Sequence, residues 1–285
     1  MVLMQRKNIW LVGGDERQAV LAGLLADDGH RVHVWGMEQR LRCESSLHGI
    51  EGADCVILPL PAVNGAGELN APLAKTTLMA GEVLTCLRPG QTVLAGKVSP
   101  WLRGLAETRG LNLLDYFARE ELALLNAVPT AEGAIRIAME LLPITIHGAA
   151  ILILGFGRLG QALAPRLQAL GADVTVVARR SEQRALAAVH NLRADVPEEM
   201  KERLYRYDLI INTVPAQVLG VEELAAMKAR APIIDLASLP GGVDDESAAA
   251  LDVKVVHALA LPGKEAPLTA GRYLRDTVYH LIMGV

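Results

Sequence analysis

Aromatic residues are scarce in this sequence: 4% of its 285 residues, with three Trp, five Tyr and two Phe. Half the chain is nonetheless hydrophobic, at 51%, so any core must be assembled from Ala, Val, Leu and Ile. That composition suits parallel sheets covered by helices. Cysteine is also scarce. Cys43, Cys55 and Cys86 are odd in number and widely spaced, which excludes a disulfide framework, and no C-x-x-C pair suggests metal or redox work. An excess of positive charge is missing too: the formal net charge is -4. Without a basic field neither nucleic acid nor an anionic membrane is an expected partner, and a small metabolite is. Long apolar runs are absent. The stretch from Met1 to Gly14 carries Gln5-Arg6-Lys7 before a few apolar residues, too short for a signal-peptide core or a membrane span. The expectation is a cytoplasmic protein, and its length favours two domains.

What is present centres on Ala150 to Gly160, reading AILILGFGRLG. A run of buried-strand residues breaks into Gly155, Gly157 and Gly160, spaced G-x-G-x-x-G, and a helical pattern follows from Gln161 to Leu170. Strand before and helix after turn a weak motif into a dinucleotide site. Gly155 makes the tight turn, Gly157 lets the backbone approach a diphosphate and Gly160 lets helix pack on strand. Phe156, Arg158 and Leu159 complete the turn. Pro165 within the helix deletes a donor, so a kink or a one-turn irregularity is expected there. The next strand, Asp173 to Arg179, ends in Arg179-Arg180-Ser181. A carboxylate there would grip both ribose hydroxyls of NAD. Two guanidiniums and a hydroxyl suit a 2′-phosphate instead. NADP is the first choice, with NAD possible and a solvated basic strand end as the alternative.

Earlier in the chain, Asn8 to Gly14, Arg31 to Gly36, Cys55 to Leu60, Thr92 to Ala95 and Leu111 to Leu114 read as strands separated by helices. This is a doubly wound unit of its own. It has Gly13-Gly14 at its first strand end but no full fingerprint, so it suits an anion better than a dinucleotide. Its candidate ligands are Asp15, Arg17 and Gln18; Arg17 also reads as a solvated helix residue. Pro129 is expected to interrupt the helical pattern at Asn126 to Thr130, leaving a helix on either side, and so to mark a hinge. Beyond the fingerprint, strands at Asp208 to Val214, Pro232 to Leu236 and Lys254 to Ala260 end in turns. These carry Asn212, Thr213, Val214 and Pro215; Asp235, Ala237 and Ser238; and Leu261, Pro262, Gly263 and Lys264. Ligands bind outside the carboxyl ends of parallel strands, so these turns are expected to line the nicotinamide half of the cofactor. The last helix, from Leu268, is expected to return to the first domain. The fold predicted is α/β, two doubly wound parallel-sheet (Rossmann-like) domains separated by a cleft, with 1–127 plus 268–285 as substrate domain and 128–267 as cofactor domain.

The stretches Asn126-Ala127-Val128-Pro129-Thr130-Ala131-Glu132-Gly133-Ala134, Ile151 to Arg158, Leu261-Pro262-Gly263-Lys264 with Ala266-Pro267, and the opening Val12 to Gln18 together resemble the family of dipicolinate synthase A subunits, over essentially the whole chain. The resemblance implies an enzyme of spore-forming bacteria that oxidises a dihydrodipicolinate-type ring, or its hydrated precursor, with a nicotinamide cofactor. It also implies a partner, the flavoprotein-like B subunit of dipicolinate synthase, and a fold similar to the formate/glycerate dehydrogenase group.

Such an oxidation requires a hydride to leave for the nicotinamide and a proton to leave for a base. The substrate is a dicarboxylate, so two donor clusters are expected. Gly13, Gly14, Asp15 and Arg17 are candidates for one, Lys264 or Lys97 for the other, with Thr130 beside them; each lysine alone also reads as a solvated surface charge. His257, Glu132 and Asp235 are candidate proton acceptors, and Lys264 a further catalytic candidate. His257 equally reads as a core histidine. His30, His33, His48, His147, His190 and His280 form no metal pattern, and no metal is predicted. A homo-oligomer is expected. Two rivals remain: a 2-hydroxy-acid dehydrogenase, and a cofactor-binding protein that only scaffolds a partner.

Overall fold

The computed structural model describes residues 5–229 and 231–283, so the first few positions of the opening stretch and the last two of the chain lie outside the described residues. The chain divides into two compact units, one running to Asn126 and resuming at Pro262, the other spanning Ala127–Leu261.

In the first unit β1 (Asn8–Val12), α1 (Glu16–Asp27), β2 (Arg31–Trp35), β3 (Cys55–Ile57), α2 (Ala80–Thr85), β4 (Thr92–Ala95), α3 (Pro100–Thr108) and β5 (Asn112–Asp115) follow in order. The sheet is parallel with strand order 2-1-3-4-5, a doubly wound arrangement whose order reverses between β1 and β3. Side chains alternate across it, as strand geometry requires. Trp10, Val12, Val56, Leu58 and Val93 pack on the face covered by α2 and α3. Ile9, Leu11, Cys55, Ile57 and Leu94 face α1 together with Leu274 and Val278 of the last helix, α11 (Pro267–Met283). Gly271 sits where any Cβ would stand 2.5 Å from Val20 Cγ1, which is how α11 lies so close to α1.

The second unit runs β6 (Ala150–Leu154), α5 (Arg158–Ala169), β7 (Asp173–Val177), α6 (Ser181–Val189), β8 (Arg193–Asp195), α7 (Pro197–Met200), β9 (Leu209–Asn212), α8 (Val221–Ala225), β10 (Ile233–Asp235), α9 (Asp245–Ala250) and β11 (Val255–His257). Its six parallel strands take the order β11-β10-β9-β6-β7-β8, that is 6-5-4-1-2-3, with the reversal between β6 and β9. Ile151, Ile153, Val174, Val176 and Ile211 pack against Leu163, Ala164 and Leu167 of α5; Leu152, Leu154, Ile210 and Ile233 pack on the other face with Leu204, Leu224 and Ala248.

The expected break at Pro129 does not occur: α4 (Glu120–Leu141) is one helix with Pro129 inside it. Proline costs one ladder bond, that to the carbonyl four residues back. Here that residue is Leu125, 41% exposed, where water can take the orphan carbonyl, while Ala131, Ala134 and Ala138 bury the opposite face. Likewise α5 continues through Pro165 as one helix. The LPGK stretch is not an open turn but the short helix α10 (Leu261–Glu265). Gly263 packs on the first unit, where an added Cβ would lie 2.8 Å from Asp15 Oδ2, so the boundary falls ahead of Pro262 rather than after residue 267. Among the described residues no helix is long and apolar enough to cross a membrane.

Candidate functional site

The reversal point of the second sheet is built from the glycine turn after β6 and the turn after β9. Gly155 adopts φ 93° and its N–H donates to Val177 O at 2.9 Å. An added Cβ would stand 2.5 Å from Thr213 Oγ1. Thr213 ties the two turns, its N–H and its hydroxyl both donating to Leu154 O at 2.9 and 2.8 Å. Gly160 holds helix to turn, since a Cβ there would meet Gly155 O at 2.3 Å. Gly157 differs. It is the N-cap of α5, makes no side-chain cap bond, and a Cβ on it would meet nothing within 4 Å. No packing inside the chain demands glycine there. The first backbone N–H groups of α5 therefore face out with the positive end of the helix dipole, which fits a diphosphate. Phe156 is fully buried in the core, so only its backbone can serve a ligand. Arg158 is exposed and Leu159 half-buried.

At the end of β7, Arg179 and Arg180 are exposed. Arg180 is the N-cap of α6 without a side-chain cap bond, and Ser181 opens that helix. Arg184 reaches back, its Nη1 donating to Ala178 O at 2.9 Å and to Arg179 O at 2.6 Å. The turn is thus held, with Arg179 and Arg180 both exposed on it.

The turns after β9, β10 and β11 converge on Asp235. This carboxylate is fully buried. Its Oδ1 accepts from Asn212 Nδ2 at 2.8 Å and from Ala237 N at 3.0 Å, and its Oδ2 accepts from Gly242 N at 2.9 Å. Asn212, also fully buried, donates to Val214 O and accepts from Val214 N, both at 3.0 Å. Asn212 and Asp235 are therefore braces of the site, their polar atoms spent inside the protein. Pro215 and Ser238 are exposed, Ala237 is buried. His257 is not a core residue. Its side chain is 44% exposed, Nε2 lies 2.8 Å from Asp245 Oδ1, and Nδ1 lies 3.7 Å from Asp235 Oδ2. Leu261 and Pro262 are buried and Lys264 is exposed on α10. Glu132, exposed, and Thr130, half-buried, lie on α4 rather than on a strand-end turn.

The reversal point of the first sheet has other chemistry. Gly13 and Gly14 take φ 69° and 123° and lead into Asp15, which caps α1 with its own carboxylate; Gln18 closes the reciprocal bond, Oε1 accepting from Asp15 N at 3.1 Å. This helix end is already satisfied, so it does not fit a diphosphate as α5 does. Arg17 is not a solvated helix residue: it is 4% exposed. Its Nε donates to both oxygens of Asp15 at 3.0 Å, and its Nη2 donates to Asp15 Oδ2 at 2.7 Å and Leu60 O at 2.6 Å. Nη1 makes no hydrogen bond among the described residues. Tyr116, buried, donates to Leu58 O at 3.0 Å, and burial pushes its phenol well above the usual range. Lys97 at the end of β4 holds φ 55°, a strained conformation for a side chain with a Cβ. Asp115 stabilises it, accepting from Lys97 N at 3.0 Å and Val98 N at 2.9 Å. The structure thus brings Gly13, Gly14, Asp15, Arg17 and the Gly263-Lys264 segment to one end of this unit. Sequence reasoning missed Asp115, Tyr116, Arg184 and the Leu60 carbonyl. Asp115 alone left a signal, an acid ending a strand.

Two doubly wound units, one with an uncapped glycine turn at its reversal point, define a dinucleotide-binding protein of dehydrogenase type. Similarity to known proteins agrees. Residues 125–269 match the D-isomer specific 2-hydroxyacid dehydrogenase NAD binding domain, and residues 8–117 match the N-terminal domain of the dipicolinate synthase A subunit. The dipicolinate synthase A subunit of Bacillus subtilis (strain 168) is 31% identical over 282 residues, covering 96% of this chain and 95% of the relative. The crystal structure of the A subunit from Bacillus halodurans superposes with a TM-score of 0.87 at 30% identity, covering 97% of both chains. A transhydrogenase from Sinorhizobium meliloti, at TM-score 0.70, 15% identity and coverage of 98% and 94%, shares the fold. The chain belongs to the family of dipicolinate synthase A subunits.

Proposed function

We propose that this chain is a nicotinamide-dependent dehydrogenase that oxidises a dihydrodipicolinate-type ring, or its hydrated precursor, to dipicolinate, with NADP as the hydride acceptor. The observation that carries the reading is the contrast between the two helix ends. The end of α5 is uncapped, with open space at Gly157, and that of α1 is closed by its own Asp15. One unit then holds the dinucleotide and the other the diacid. Gly155, Gly157 and Gly160 with the first N–H groups of α5 would hold the diphosphate. Arg179, Arg180 and Ser181, whose guanidiniums and hydroxyl make no hydrogen bond among the described residues, would take the 2′-phosphate. The bound nicotinamide would supply the hydride acceptor. Arg17, immobilised by Asp15 and Leu60 O with Nη1 to spare, grips one substrate carboxylate; Lys97 and Lys264 supply charge for the other. Forming an aromatic ring is strongly downhill and needs no strong base. Asp235 has its lone pairs engaged and both nitrogens of His257 face carboxylates. We therefore assign the proton to water, with Glu132 the remaining carboxylate. Membership of the family further supports the B subunit as a partner and a role in spore formation; a cytoplasmic homo-oligomer belongs to the same proposal.

The test is turnover by the purified chain with NADP and freshly prepared dihydrodipicolinate, followed by product absorbance. Product from the chain alone is expected, and product only after the B subunit is added would sink the reading of an independent enzyme. Replacing Arg179 and Arg180 together by Ser should weaken NADP at least tenfold, from loss of charge-assisted bonds to phosphate, and leave NAD nearly unchanged. Tighter binding of NAD than NADP by the unaltered chain would remove the cofactor assignment. His257→Asn should retain turnover.

A further inference from the structure

Between β10 and α9 the chain makes a turn, from Leu236 to Val243, whose two ends are tied to one buried charge. Asp235 takes Ala237 N at 3.0 Å on one oxygen and Gly242 N at 2.9 Å on the other. A buried carboxylate persists only where donors meet its lone pairs, and Asn212 Nδ2 adds a third at 2.8 Å. The turn is closed internally by Gly241 N donating to Ser238 O at 3.1 Å and braced outside by Val218 N and Leu219 N, which donate to Gly242 O at 2.9 and 3.0 Å. No side chain fits at Gly242, where a Cβ would lie 2.1 Å from Asn212 Nδ2. What this frame carries is Leu239, 82% exposed, the highest value for a large apolar residue among the described residues. A lone surface leucine is ordinarily unremarkable. This one stands on a turn whose anchoring consumes two fully buried polar residues, at the carboxyl end of a strand two places from β6.

We propose that Asp235 is a positioning residue and that Leu239 is the apolar group it presents to the flat nicotinamide ring of the cofactor. The proposal rests on the dinucleotide reading and adds to it a residue that specifies the ring end of the ligand. In a doubly wound sheet of this order the nicotinamide half lies over the turns on the β9 and β10 side of the reversal point. A leucine covering one ring face gains apolar burial and excludes water from it.

The experiment compares Leu239→Ser with the unaltered protein by NADPH fluorescence titration, binding of the adenosine bisphosphate half of NADP, and thermal denaturation. Because Leu239 is exposed, the variant should melt unchanged and bind the adenosine fragment within about twofold of the parent. NADPH should bind about tenfold more weakly, the equivalent of one leucine contact, and its fluorescence enhancement should fall. Leu239→Met should restore both. Asp235→Asn should show the same NADPH-selective loss at temperatures below its own lowered melting point. Unchanged NADPH affinity and fluorescence in Leu239→Ser would overturn the proposal while leaving the dinucleotide site standing. Failure of the unaltered protein to bind either NADPH or the fragment would remove the dinucleotide reading and this inference with it.

Discussion

Substituting Ala at Gly157 and, separately, at Gly160 separates ligand binding from folding at a single turn. Gly157 has φ -80° and ψ -162°, extended backbone that alanine adopts without strain, and its added Cβ meets no protein atom within 4 Å. Stability should therefore stay within about 0.5 kcal/mol of the parent, as for a substitution touching nothing. On the proposed reading, however, the new methyl occupies open space that a diphosphate approaching the first turn of α5 would fill. Displacing the diphosphate by about one methyl radius weakens at least two hydrogen bonds to a charged group, each worth roughly 1.5–3 kcal/mol. The dissociation constant for NADPH should rise by about a hundredfold or more. Gly160→Ala behaves oppositely. Its Cβ would lie 2.3 Å from Gly155 O and 3.2 Å from Gly155 C, backbone that cannot swing aside, so overpacking of about 1–3 kcal/mol is expected with a fall in melting temperature of several degrees. Circular-dichroism melts and calorimetric titration with NADPH read the two effects. If Gly157→Ala melts normally and still binds NADPH with parental affinity, the diphosphate does not lie on this helix and the site has been misplaced.

Arg17→Lys keeps the charge but cannot serve Asp15 and Leu60 O together; it should cost about 1–3 kcal/mol in urea unfolding and raise the apparent dissociation constant for a pyridine dicarboxylate. Asp208 gives a pH signature. Burial pushes its carboxyl up, but the Lys228 ammonium and the Ala150 N–H, at 2.9 Å, outweigh it and hold the group below the usual aspartate range. Its contribution is present above the unfolded pKa and is lost as pH falls through the folded one. Asp208→Asn should therefore cost about 1–2 kcal/mol at neutral pH, with the gap closing in acid; a constant gap down the acid limb would refute the ionic account. Burial pushes the Cys55 thiol up to about 12, whereas Cys86 is exposed. A disulfide reagent at about pH 8 should modify Cys86 quickly and Cys55 only on unfolding.

Much of the dinucleotide site was legible in the sequence because its components are neighbours along the chain. Strand, glycine turn and helix occupy Ala150 to Ala169 without interruption, and Arg179, Arg180 and Ser181, the proposed 2′-phosphate ligands, follow directly on the next strand. At the reversal point of the first sheet the candidates Gly13, Gly14, Asp15 and Arg17 were legible as neighbours along the chain, but their partners were not. Arg17 read equally as an anion ligand and as a solvated helix residue, because one of its partners, the carbonyl of Leu60, is 43 residues away and reaches it only when β1 and β3 lie side by side. Asp235 and Asn212 looked like ligands because they end strands. They are braces because their sheet neighbours turn their polar atoms inward.

Periodicity, turn chemistry and the glycine spacing, all properties of adjacent residues, determined by themselves that there would be two parallel-sheet units and that the second would carry an uncapped glycine turn between strand and helix. Tertiary structure alone decided that Pro129 would lie inside a helix, that the LPGK segment would pack on Asp15 rather than line an open turn, and which charged groups would remain free. Those outcomes depend on what each residue is buried against, and burial partners are chosen by the order in which strands meet, not by the order in which residues are joined.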